Sequence, residues 1–200
     1  MDLVGLPLDT QYRFRMHRVP GGAVAECLAE LSDAGFYRYT PAEDVEKAKR
    51  VPAESFEGYG YFFGYTNREA TTDSEDIQEG GVIHFLEDVR HFPPCSEIIG
   101  TFVQEESQER VEVNEFVDVV EFAKVHCRAW DWSEFAEDRP DAWLLSLDRS
   151  VKMMNRLLQT YEYEDRLYYH HFGNDDQVIM VTPLILRILV KHGAITPNSI

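Results

Sequence analysis

Between residues 144 and 193 the apolar residues change their period twice, and this constrains the class of fold the chain can adopt. Leu144, Leu147, Val151, Met154 and Leu158 recur at the spacing of one helix face. Residues 163–172 and 177–181 then read as two strands around Gly173-Asn174-Asp175-Asp176, a hairpin signal. Thr182-Pro183 follows as the start of a last helix, which Gly193 ends. The polar face of that helix is narrow, Arg187 and Lys191, so it reads as nearly all core.

The rest of the chain mixes the same two periods. Residues 11–19 alternate, with Tyr12, Phe14 and Met16 on one face and Arg13, Arg15 and His17 on the other, a half-buried strand. Pro20-Gly21-Gly22 ends it. Val24, Cys27, Leu28 and Leu31 recur at helical spacing, and Gly35 sits where a C-cap glycine belongs. Thr40, Pro41 and Glu43 look like a capped helix start, predicting a helix to about Arg50 that Pro52 stops. Residues 58–65 read as a strand with Tyr59, Tyr61, Phe63 and Tyr65 on one face and three glycines on the other. Residues 66–81 are polar and acidic and end in Gly-Gly, a connection; Val82 to Leu86 then reads as a strand that pairs with 58–65 and is closed by Pro93-Pro94. A further strand pair is expected over 98–113, an amphipathic helix from Asn114, and an aromatic, acidic connection over 130–140.

Hairpins mixed with helices, without regular βαβ alternation, predict an α+β fold with a mainly antiparallel sheet built from hairpins and packed helices. Two hundred residues suffice for one such domain; a division into two would fall between Arg90 and Gly100.

The formal net charge is -17, and it is unevenly spread. From Glu69 to Glu121 there are fifteen acidic residues against Arg90 and Arg110, a net of -13. Twelve Phe and ten Tyr supply the burial that disordered acidic tails lack, so the charge belongs to a folded body. A field of this sign repels nucleic acid and anionic lipid and attracts basic partners. Cys27, Cys95 and Cys127 are odd in number and lack metal-like spacing, which favours free thiols in a reducing compartment. The start shows no basic region followed by an apolar stretch, and the apolar run 178–190 is interrupted by Thr182, Pro183 and Arg187. A cytoplasmic location is the resulting expectation, with no membrane partner.

Motifs for catalysis are weak. The glycines at 58, 60 and 64 match neither a dinucleotide fingerprint nor a phosphate loop. His170-His171, near Asp175 and Asp176, are strand neighbours that point to opposite faces, so they do not naturally share an ion. His84, Glu87, Asp88 and His91 offer four donors; a helix beyond Leu86 would place Glu87 and His91 on one face. Neither group matches a standard metal site, there is no GxSxG elbow, and no cofactor or metal is expected.

The reading is therefore a non-enzymatic acidic protein that captures and neutralises a basic protein, such as a toxin or nuclease. Bacterial immunity proteins have this general character: small, cytosolic, acidic and α+β. The expected contact residues are Tyr59, Tyr61, Asp73, Glu75, Asp76, Glu79, Glu105, Glu106, Glu109, Trp130 and Trp132, acids for steering and aromatics for anchoring. The alternatives are a small enzyme using His84, His91, His170 or His171 with nearby acids, a phage-type nucleic-acid mimic, and a self-associating structural protein. Acidity that serves only solubility explains the charge almost as well.

Overall fold

Strand β1 (Phe14–Met16) keeps the alternation read from the sequence: Phe14 is buried and Arg15 exposed. These observations come from a computed structural model that describes residues 12–17, 19, 21–54, 62–80, 82–99, 142–171 and 175–197. Helix α1 (Gly21–Asp33) buries Val24, Cys27 and Leu31. It closes as its glycine predicts: Gly35 has φ +74°, and Phe36 N–H donates back to Leu31 O at 2.9 Å.

Helix α2 (Val45–Glu54) corrects the expected boundaries at both ends. Thr40 does not cap it; its hydroxyl donates to Thr66 O at 3.4 Å, and a tight turn bridges to Asp44. Pro52 lies inside the helix rather than stopping it. A proline there cannot donate to the carbonyl four residues before it, so the helix loses one hydrogen bond and ends two residues later, at Glu54.

The strand expected over 58–65 is absent at its described end. Phe62 and Phe63 are buried, but Gly64 and Tyr65 form a turn in which Thr66 N–H donates to Phe63 O at 3.1 Å. Tyr65 and Asn67 take positive φ, 64° and 52°, and Tyr65 is exposed, so it does not share a buried face with Phe63. Tyr59 and Tyr61 lie outside the described residues.

The expected connection after Thr66 instead carries β2 (Glu69–Asp73) and α3 (Ser74–Gly80). Ala70 and Thr72 are buried and Thr71 exposed, a period of two written in small, partly polar residues. Residues 82–86, read as a strand, belong to helix α4 (Val82–Val89). Val82, Phe85, Leu86 and Val89 are buried, an i, i+3, i+4, i+7 pattern that a window of five residues does not reveal. Pro93 does not close a strand but opens α5 (Pro93–Ile99), where Ser96 N–H bonds to Phe92 O at 2.8 Å. The missing proline N–H is no loss at that position. Ile98 and Ile99 end this helix and start no strand. The strand pair, helix and connection expected beyond them lie outside the described residues.

The C-terminal part follows the sequence pattern. Helix α6 (Ala142–Thr160) buries Leu147, Val151, Met154 and Leu158 completely. Strands β3 (Arg166–His171) and β4 (Asp175–Val181) lie side by side, and β4 is the middle strand of a sheet ordered β2-β4-β3. Helix α7 (Pro183–Lys191) is capped by the Thr182 hydroxyl, which accepts from Ile185 N–H at 3.2 Å. Strand β5 (Ile195–Pro197), not foreseen, pairs antiparallel with β1, Met16 opposite Ile195. Helices with two sheets make the fold α+β.

The chain divides into two units: Met1–Glu69 with Asp165–His170 and Ile179–Ile200, and Ala70–Glu164 with His171–Val178. In the first, Phe14, Leu31, Phe36, Phe63, Tyr168, Ile185 and Leu189 belong to one buried cluster, with α1 packed on α2 and α7. In the second, α6 packs on α3, α4 and α5, and Ile77, Phe85, Leu86, Cys95 and Leu158 are buried. Each such side chain contributes about 1.5–3 kcal/mol by leaving water. Among the described residues no helix is long and apolar enough to cross a membrane.

Candidate functional site

The described part of the acidic stretch begins where β2 runs directly into α3. Asp73 Oδ1 accepts from Glu75 N–H at 2.8 Å and from Asp76 N–H at 3.4 Å, so Asp73 caps α3. Glu75 and Asp76 then stand in the first turn, where the helix dipole favours negative charge. Asp76 and, on α4, Glu87 are exposed. Half-buried Asp88 has its carboxyl raised above the ordinary range, chiefly by burial; the Thr72 hydroxyl and then His84 oppose this, while the charges of Glu87 and Asp76 add to it. Helices α3 and α4, which carry these acids, pack on each other. Glu79 belongs to α3, but its side chain lies outside the described residues, as do Glu105, Glu106, Glu109, Trp130 and Trp132.

Among the described residues, none of His84, His91, His170 and His171 belongs to a group of three or more close ligand atoms. Helix α4 ends at Val89, so His91 falls in the following turn and does not share a helix face with Glu87; its Nδ1 lies 2.9 Å from Asp88 O. His170 packs its ring 5.6 Å from that of Phe14. His171 Nδ1 lies 2.5 Å from Oδ1 of Asp176, whose side chain is fully buried. A carboxylate in that position fixes the imidazole's orientation, the arrangement used to steady an acid–base histidine and equally a common way to tie a hairpin.

The most densely connected polar centre of the first unit was not visible in the sequence. Arg68 is fully buried; its guanidinium donates to Phe36 O at 2.6 Å, Met180 O at 2.8 Å, Gly35 O at 3.3 Å and Asp165 Oδ1 at 3.2 Å. Oδ2 of Asp165 accepts from Tyr39 OH at 2.8 Å and pairs with Arg38. Burial pulls the Arg68 guanidinium below its usual value, against the Asp165 charge. Burial and then the Asp165 bond push the Tyr39 hydroxyl up to about 12. With both oxygens of Asp165 engaged, this centre joins four stretches of chain, around residues 35–39, 68, 165 and 180, and is built to hold structure. Its members are distant in sequence, and no local pattern marks them.

One further grouping also escaped sequence reading. Glu26 and Glu30, four apart on α1, and His192, just beyond α7, bring one ligand atom each within 4.8 Å of one another. Lys191 Nζ sits 2.5 Å from Glu30 Oε1. Cys27 and Cys95 are buried; burial first, then the charge of Glu30, pushes the Cys27 thiol up to about 12. No family model, no curated protein sequence and no solved structure matches this chain.

Proposed function

We propose that the chain is a non-enzymatic acidic binding protein that captures and neutralises a basic protein partner, in the manner of an immunity or inhibitor protein. The observation that carries this reading is the grouping of Asp73 at the end of β2, Glu75 and Asp76 on α3, and Glu87 and Asp88 on α4, two helices that pack on each other within a stretch of net charge -13. Carboxylates held on short, packed helices keep their mutual spacing. They lose less freedom on meeting a cationic surface than carboxylates on a loose chain would. Such a patch speeds encounter with a basic partner, and its effect weakens with salt.

The test compares the full chain with the triple variant Asp73→Asn, Glu75→Gln, Asp76→Asn in pull-downs from the source lysate at low and high salt. The expected result is a basic protein retained by the wild type at low salt, released at high salt, and held far more weakly by the variant. Capture that is equal for both chains, or insensitive to salt, overturns the reading.

A further inference from the structure

We propose that Glu26, Glu30 and His192 form a binding site for a single divalent transition-metal ion, with Zn2+ as the occupant. The two carboxylates are brought to one side of α1 by their i, i+4 spacing. The imidazole comes from a different element. The backbone N–H of His192 caps the end of α7 by donating to Ile188 O at 3.1 Å, and Gly193, with φ +71°, turns the chain away behind it. The His192 side chain is only 5% exposed, so its ring is held by its surroundings, and Nε2 faces Glu30 Oε1 at 3.2 Å. Helices α1 and α7 pack on each other, which gives the two halves of the site a shared support.

The donor set selects the class of ion. Two carboxylate oxygens and one imidazole nitrogen suit Zn2+ and Co2+, whereas Ca2+ and Mg2+ prefer oxygen ligands alone. Three protein ligands leave a position for water. The carbonyl end of α7 adds a field favourable to any cation placed there.

That demand for positive charge is met locally by Lys191. Its Nζ lies 2.5 Å from Glu30 Oε1, the same oxygen that faces His192 Nε2. Lys191 is 57% exposed on a long stem, so it can swing into water when a doubly charged ion takes the oxygen. Lysine is thus a competitor at this site rather than a ligand.

The experiment is calorimetric titration of the full, chelator-treated chain with Zn2+, with Ca2+ as control and Co2+ to report ligand geometry by visible absorption. One Zn2+ per chain is expected, with no heat from Ca2+. Glu26→Gln, Glu30→Gln and His192→Gln should each weaken Zn2+ at least about tenfold. Lys191→Met, which leaves all three ligands and the helix in place, should tighten Zn2+ several-fold. It keeps the test decisive if His192→Gln disturbs folding. Absence of stoichiometric Zn2+ binding, binding unchanged in the glutamate variants, or Lys191→Met without a gain would each overturn the assignment.

Discussion

Arg68 Nη1 lies 3.2 Å from Asp165 Oδ1, and neither side chain retains any exposed surface. A buried pair of this kind adds little net stability over a well-packed apolar pair, but removing one partner strands the other charge out of water. Arg68→Met should therefore destabilise the chain by about 3–5 kcal/mol, read as a lower urea midpoint. Asp165→Asn should also destabilise, because Arg38 and Arg68 lose their shared counter-charge. The double variant should lose less than the sum of the two; strict additivity would show that the pair is not coupled.

Glu69 precedes the buried Ala70 in β2, and burial raises its carboxyl to about 7 from an ordinary 4.5. The protonated form is thus favoured by folding. Its contribution is full below the unfolded value of 4.5 and is lost as pH rises through about 7. Glu69→Gln, which cannot ionise, should be more stable than the wild type by about 2 kcal/mol at alkaline pH. The advantage should fade on acidification toward the unfolded value. Equal pH dependence of the two proteins in urea titrations would refute this.

Gly193 follows α7 with φ +71°, and a Cβ built there would meet nothing within 4 Å. Any cost of Gly193→Ala is then backbone strain alone, about 1 kcal/mol. The fall in thermal midpoint should match that of Gly35→Ala, which has φ +74° and the same open surroundings. A neutral result at both positions would mean that the helix ends relax to negative φ.

How much of this was legible depended on how local each signal is. The stripe from Leu147 to Leu158, the Thr182-Pro183 start of α7 and the glycine ends of α1 and α7 are set by neighbours within a few residues, so period and cap chemistry determined them. Helix α4 does not show in the sequence because a five-residue apolar run fits a strand or a helix equally; α3 lies in a polar, acidic stretch that reads as a connection, and α5 opens on prolines that read as a strand end, so packing against α6 decides all three. Strand β2 hid for a similar reason: Thr71 and Thr72 look like connection until pairing in the sheet gives one face a core. The acidic character of α3 could be read directly, because charge is a property of composition. The Arg68–Asp165 centre and the meeting of Glu26, Glu30 and His192 were decided by tertiary structure alone. They join residues 97 and 162 positions apart, separations at which the sequence carries no spacing signal and only the packed chain brings donors and acceptors together.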